Sequence, residues 1–122
     1  MLLFNLMLTK ETINKISQLT TPNGQFINEA PVCIVVFCQE TKYYLEDGCA
    51  ATTNILNAAT ASGINSCWVA GDKKPYCEDI AKLLSVPSGY KLISLIPLGF
   101  SDKAISSPDK KNLNSVIHWE KF

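Results

Sequence analysis

The stretch 63–71, Gly-Ile-Asn-Ser-Cys-Trp-Val-Ala-Gly, decides how this sequence is interpreted. Residues 65–70 are predicted to form a strand that ends at Ala70 and Gly71, just before the charged turn 72–75. A strand with this ending leaves its backbone uncovered, which suits the close approach of something flat. We therefore expect residues 68–71 to form an exposed main-chain edge, with an ordinary strand end as the alternative.

The segments around this stretch alternate between strand and helix patterns. Strands are predicted at 2–8, 32–37 and 91–100, and helices are predicted after Thr9, at 44–62 and at 75–84. Pro97 indicates an irregularity in the last strand or a place at a sheet edge. With neither repeats nor a linker, this order predicts a single domain over residues 1–122, in which helices cover a sheet.

The predicted helix at 44–62 is rich in small residues. One face of it is shared by residues at spacings of four, three, four and three, namely Leu45, Cys49, Thr52, Leu56 and Ala59. Alanines occupy much of the remaining surface. We therefore expect this helix to be buried on most sides, with a second subunit as one candidate for the cover.

The composition is that of a globular protein without a nucleic-acid signature. Hydrophobic residues make up 47% and charged residues 18%, and the formal net charge is zero. The 11 basic residues are all lysines. Since phosphate neutralisation and guanine readout depend on basic side chains, arginine above all, nucleic acid is not expected as a partner.

The five cysteines, at 33, 38, 49, 67 and 77, lack C-x-x-C spacing. We interpret them as free, mostly buried thiols in a reducing compartment, and Cys67 as a core thiol. The apolar start 1–8 is too short to span a bilayer, and it lacks a basic leading region and a cleavage site. A cytoplasmic protein without a membrane segment is expected.

Side chains that could carry out catalysis are scarce. His118 is the only histidine and is interpreted as a packing or surface residue, so a transition-metal site is not expected. Neither a phosphate-binding loop nor a G-x-G-x-x-G motif is present. We therefore predict no catalytic residue, and expect a cofactor to carry the reaction if the protein is an enzyme.

Several stretches taken together resemble the FMN-dependent nitroreductase family. They are EDGCAATTNILNAATASGINSCWVAG, IAKLLSVPSGYKLISLIPLGF and DKKNLNSVIHWEKF, which occur in the family's order and with its spacing. Each is weak alone, but in register they are a specific signal. The resemblance covers the chain from about Leu2 to its end and corresponds to the C-terminal two-thirds of the family pattern.

This resemblance implies an α+β, three-layer fold with a mixed sheet flanked by helices, in a homodimer that binds FMN at the subunit interface. It implies that the backbone of Trp68, Val69, Ala70 and Gly71 lies against the flavin ring, with amides directed at its N5 and O4 edge. Lys110 and Lys111 match the basic residues that help to hold the FMN phosphate. The implied activity passes electrons from NAD(P)H through FMN to a nitroaromatic, a quinone or a similar acceptor.

The sequence also departs from the family pattern. Family members begin with a helix and an Arg-x-Ser-x-Arg-like segment that binds the FMN phosphate, whereas this sequence starts at the strand that follows. We therefore expect an N-terminally truncated version of the fold. The alternative function is a non-enzymatic, dimerising remnant with weak or no flavin binding. The electron acceptor and the choice between NADH and NADPH stay open.

Overall fold

The computed structural model of the protein describes residues 1–102 and 109–121. In these ranges, five strands and three α-helices occur in the order β1 (Leu2–Met7), α1 (Lys10–Leu19), β2 (Val32–Gln39), α2 (Tyr44–Ala61), β3 (Asn65–Ser66), β4 (Val69–Ala70), α3 (Cys77–Leu83) and β5 (Tyr90–Gly99). Two short 3₁₀ helices lie at Gln25–Glu29 and Leu113–Ser115. The α+β class predicted from the sequence is confirmed.

The described strands form one sheet in the order β1-β2-β5, with β3 and β4 both paired to the other edge of β5. All these pairings are antiparallel, which corrects the expectation of a mixed sheet. The strands β2 and β3 do run parallel to each other, as a strand-helix-strand crossover requires. However, β5 lies between them, so the parallel strands are not neighbours.

Three layers form because β2 and β5 are apolar on both faces. Cys33, Val35 and Phe37 of β2 pack in one cluster with residues of α1 and α3, including Ile13, Ile16 and Ile80. Val36 and Cys38 point to the opposite cluster, which contains the inner face of α2. Alternation along the strand thus puts α1 and α3 on one side of the sheet and α2 on the other.

The inner face of α2 is the one predicted from its spacing. Thr52 and Ala59 are buried, and Leu45, Cys49 and Leu56 pack against the sheet. The expectation of burial on most sides is wrong for the chain alone, since Ala50, Ala58 and Ala61 are exposed. One side of α2 packs on the sheet, and none of the described residues covers these three alanines on its other side.

Ile93 of β5 contacts both α2, at Gly48, and the predicted main-chain edge, at Gly71. The register between β2 and β5 shifts at Val36/Phe37, so Ile93 is an additional residue in β5. A Cβ on Gly48 of α2 would lie 2.5 Å from the Ile93 side chain, so a glycine there lets the helix approach closely. The adjacent hydroxyls of Thr52 and Ser94, both buried, are 2.8 Å apart and join α2 to β5.

Candidate functional site

The stretch 65–71 follows β5 in one constant register. Asn65 pairs with Gly99 in β3, and Ala70 pairs with Ser94 in β4. Between these two pairs, the amide of Cys67 donates to the carbonyl of Pro97 at 3.4 Å. One residue after β4, the amide of Gly71 donates to the carbonyl of Ile93 at 2.9 Å. The predicted strand is therefore present, although it is divided into two short pieces.

Pro97 accounts for the division. It lies opposite Cys67 and accepts a hydrogen bond from the Cys67 amide, but a proline has no N–H to return to the Cys67 carbonyl. The irregularity predicted from Pro97 thus falls in the middle of the sheet, where it interrupts β3 and β4. Cys67 is exposed, so its interpretation as a core thiol is wrong. Trp68 beside it is 38% exposed.

The alternation of the strand directs the polar groups of Ala70 away from β5. The amides of Cys67 and Gly71 both point at β5. Because backbone amides alternate in direction along a strand, the amide of Ala70, which is one residue from Gly71 and three from Cys67, points away from β5. In an extended strand the N–H and C=O of one residue point the same way. The Ala70 carbonyl accepts a hydrogen bond from the Tyr76 hydroxyl rather than from β5, which agrees with this orientation. The exposed Ala70 therefore presents its amide at the open edge of the sheet.

Gly71 was expected to leave the backbone open to a ligand, but in the structure it allows close packing against β5. It is buried, its amide is bonded to Ile93, and a Cβ would lie 2.7 Å from the Ile93 carbonyl carbon and 2.7 Å from Leu92 Cγ. Its missing side chain lets the strand end lie against β5. The Gly71 amide is thus not directed at a ligand, and its effect on this edge is to fix the position of Ala70.

Three side chains that the sequence analysis missed hold residues 70–72. The Tyr76 hydroxyl donates to the Ala70 carbonyl, the Cys77 thiol donates to the Gly71 carbonyl, and the Tyr44 hydroxyl donates to Asp72 at 3.2 Å. Burial raises the pKa of the Tyr76 hydroxyl and of the Cys77 thiol, so both keep their protons at neutral pH. Burial, followed by the bond to Asp72, raises the pKa of Tyr44 as well. These bonds depend on how the turn at residues 71–77 folds, and the sequence carried no signal for them.

The remaining predicted site residues are Lys110 and Lys111 near the C-terminus and Val69 in β4 itself. Lys110 and Lys111 are exposed, and within residues 1–102 and 109–121 no hydrogen bond or ion pair joins them to residues 68–71. Val69 packs partly against the core through its side chain. The assignment of Trp68, Val69, Ala70, Gly71, Lys110 and Lys111 to a cofactor stays a prediction.

The candidate site is defined by the main-chain edge at residues 68–71. Two surface clefts of about 450 Å³ lie elsewhere, one beside the turn at Pro22 and Phe26 and one between α1 and α3 at Leu19 and Leu83. Neither contains residues 68–71. Open polar main-chain groups at residues 68–71, unlike these clefts, have a defined ligand chemistry.

In the described ranges, no group of three or more His, Cys, Asp or Glu side chains is arranged to hold a metal ion. Of the helices in residues 1–102 and 109–121, none has the length and apolar character needed to cross a bilayer.

Fold and site together define a three-layer α+β protein whose candidate site is a main-chain edge. The sequence model of the Nitroreductase family matches residues 3–100. The chain belongs to this family.

Curated relatives agree with that assignment. The chain is 29% identical over 124 residues to a putative NADH dehydrogenase/NAD(P)H nitroreductase of Methanothermobacter thermautotrophicus, covering 93% of this chain. It is 30% identical over 123 residues to a protein of the same description from Archaeoglobus fulgidus, again over 93% of this chain. The chain spans 61% of the length of the first relative and 70% of the second.

Solved structures show the same fold. An FMN-dependent nitroreductase from Clostridium difficile R20291 superposes with a TM-score of 0.88 at 26% identity, over 99% of this chain and 76% of that one. A putative NADH dehydrogenase/NAD(P)H nitroreductase from Parabacteroides distasonis also gives 0.88, at 22% identity, over 99% of this chain and 73% of that one. The predicted nitroreductase-like three-layer fold is confirmed.

Proposed function

We propose that the protein is a flavin-dependent oxidoreductase that passes electrons from NAD(P)H through FMN to a nitroaromatic, a quinone or a similar acceptor. Membership of the nitroreductase family and the similarity to an FMN-dependent nitroreductase support this function. The observation that carries it for this chain is the backbone of Ala70, whose amide lies at the open edge of the sheet.

The residues present fit one edge of a flavin. Ala70 is exposed and offers a donor beside a methyl side chain, which suits the acceptor atoms on the rim of a planar ring. Trp68 and Val69 would lie along the same strand, while Gly71 would act indirectly by seating this strand on β5. Lys110 and Lys111 would hold the phosphate as point charges. When bound, FMN supplies the hydride and electron chemistry that the side chains lack.

We also propose that the protein works as a homodimer. Large apolar side chains are exposed on β1, where Phe4 is 54% and Leu6 is 56% accessible, and Trp119 near the C-terminus is 86% accessible. The alanine-bearing outer side of α2 is exposed too. Apolar surface of this extent on one chain is typical of an interface. A cytoplasmic location stays a prediction, based on five cysteines that are all free.

A second candidate function is a dimerising domain that binds flavin weakly or not at all. The observation that favours it is the lack of arginine among the 122 residues, because arginine is the side chain best suited to bidentate phosphate binding. This candidate shares the fold and the interface with the first, and differs from it only in the cofactor.

Titration of the full chain with FMN distinguishes the two candidates. We expect saturable quenching of flavin fluorescence by wild-type protein, followed by NADH or NADPH oxidation when an acceptor is added. Ala70→Pro removes the proposed donor in an extended edge strand, where proline is tolerated, and should weaken binding at least tenfold. Ala70→Ser keeps the amide and is the matched control. Unquenched flavin with wild-type protein would exclude the enzyme and leave the second candidate.

A further inference from the structure

We propose that Tyr76 is a positioning residue for the flavin-binding edge, an inference that rests on the proposed function. Its hydroxyl caps the carbonyl of Ala70, so that the edge presents a hydrogen-bond donor without a competing acceptor beside it.

The need for a cap follows from strand geometry. The N–H and C=O of Ala70 emerge on the same side, so a ligand that reaches the amide also meets the carbonyl. The rim of a flavin near N5 and its C4 carbonyl consists of acceptor atoms. An uncapped carbonyl would face these lone pairs, and two acceptors repel each other. A hydroxyl that donates to this carbonyl removes the conflict and leaves the amide available.

The surrounding structure holds Tyr76 in place for this task. The turn after Gly71 is closed by the amide of Lys74, which donates to the Gly71 carbonyl at 3.1 Å, and the Cys77 amide donates to the Lys74 carbonyl at 3.1 Å. Helix α3 follows at once, and its Ile80 is fully buried in the core. Tyr76 itself packs partly against the same core cluster. The hydroxyl is therefore carried by an anchored helix and not by a free loop.

The chemistry of the hydroxyl agrees with the role of a donor. Partial burial raises the pKa of Tyr76, and the neighbouring Cys77 raises it further. A phenol kept in its protonated form can donate to a carbonyl over the whole neutral range, whereas a phenolate could not.

The test compares Tyr76→Phe with Tyr90→Phe. Tyr90 lies at the far end of β5, paired with Gln39, so its replacement removes a hydroxyl from the same sheet but not from this edge. The first measurement is the carbonyl ¹³C resonance of Ala70 in the flavin-free protein, and the second is the dissociation constant for FMN.

With Tyr76→Phe we expect the Ala70 carbonyl resonance to move upfield, as on loss of a hydrogen bond, while the resonances of β5 stay in place. The FMN dissociation constant should rise about tenfold, which corresponds to about 1.4 kcal/mol, the scale of one net hydrogen bond. Tyr90→Phe should change neither quantity. An unchanged Ala70 carbonyl resonance, or a changed one with wild-type FMN affinity, would overturn the proposal.

The two proposals fail in different ways. If wild-type protein binds no FMN, the proposed function falls together with the flavin-directed part of this inference. The Ala70 carbonyl resonance still decides whether Tyr76 caps the strand, because that measurement needs no flavin. If wild-type protein binds FMN and Tyr76→Phe binds it equally well, the proposed function stands and the role of Tyr76 is refuted.

Discussion

Two stretches of similar composition, VCIVVFC at 32–38 and SCWVAG at 66–71, lie on opposite edges of the same strand β5. The first is continuous, and Cys33, Val35, Val36, Phe37 and Cys38 are buried. The second is divided, and Cys67, Trp68 and Ala70 are exposed. Composition alone therefore does not decide whether such a stretch becomes core or becomes an accessible edge.

Pro97 lies between the two stretches and affects them differently. It pairs with Cys33 on one side and lies opposite Cys67 on the other. Because its carbonyl points at Cys67, its missing N–H falls on that side, and the pairing with β2 is not interrupted. A proline is therefore tolerated in the central strand β5, because the hydrogen bond that it cannot make lies on the side of Cys67 and not on the side of β2.

The largest expected difference between the two stretches is in thiol reactivity. Cys33 is fully buried and Cys67 is exposed. We expect iodoacetamide to modify Cys67 in the native protein at least ~10³-fold faster than Cys33, which reacts only after an opening that costs about 5 kcal/mol. Peptide mass spectrometry over time measures both rates. Cys67→Ser should remove the fast modification. Similar rates for Cys33 and Cys67 would show that the two stretches do not differ in accessibility.

The next largest effect is the pH dependence of stability caused by Cys33. Burial raises the pKa of this thiol from 9.0 to about 12, although a backbone hydrogen bond from Ile96 acts in the opposite direction. Between these values the unfolded chain loses a proton that the folded chain keeps. The free energy of unfolding should therefore fall by about 1.4 kcal/mol for each pH unit from pH 9 towards pH 12.

Urea denaturation at pH 8 to 11 measures that slope. Cys33→Val should make it shallower but not abolish it, because the raised pKa values of Cys77 and Tyr76 act in the same direction. Val35→Ala, also in β2, should lower stability at every pH and keep the slope. A slope that is the same with and without the Cys33 thiol would show that this thiol is not protected by folding.

Gly71→Ala tests how tightly the accessible stretch is seated on β5. The new methyl group would meet backbone atoms of Ile93 at 2.7–2.8 Å, and a backbone inside a sheet cannot move away alone. We expect a loss of about 2–3 kcal/mol in the free energy of unfolding, together with weaker FMN binding. Gly63→Ala, at a positive φ of 72° in open space, should cost about 1 kcal/mol and leave FMN binding unchanged. Equal costs for the two variants would refute the packing role.

Pro97→Ala has the smallest expected effect on stability. It should make the stretch 66–71 a continuous strand like the stretch 32–38. It supplies an N–H opposite the Cys67 carbonyl, and the gain of about 1 kcal/mol is largely offset by the greater freedom of the unfolded chain. We expect the amide of residue 97 to be protected from hydrogen exchange, and β3 and β4 to merge. Pro87→Ala, in the exposed turn before β5, is the control. A rapidly exchanging amide at residue 97 would contradict the explanation for the division.

Local patterns were enough to predict most of the fold. The run of β-branched residues in β2 and the spacing in α2 both depend on nearest neighbours, and the structure confirms them within a few residues. The predicted helix at 75–84 was observed as Cys77–Leu83, because residues 74–76 form the turn that precedes it. The 3₁₀ helix Gln25–Glu29 was not predicted, since five residues are too few to show a helical repeat.

The candidate site could be predicted only in outline. The strand end at Ala70 was predicted, but Gly71 was expected to be exposed and is buried, and Cys67 was expected to be buried and is exposed. Both outcomes depend on Pro97 and Ile93, which are more than twenty residues away. The hydrogen bond from Tyr76 to Ala70 depends on how the intervening turn folds. Contacts of this kind arise from tertiary structure and leave no periodic signal in the sequence.

The most direct test of the central claim is an FMN titration of the full, ¹⁵N-labelled chain, followed through the backbone amides of residues 67–71. If the open main chain is the ligand edge, the Ala70 resonance should shift saturably, while the Cys67 and Gly71 resonances, whose protons are bonded to β5, move much less. Saturable flavin binding that leaves Ala70 unmoved would contradict the account.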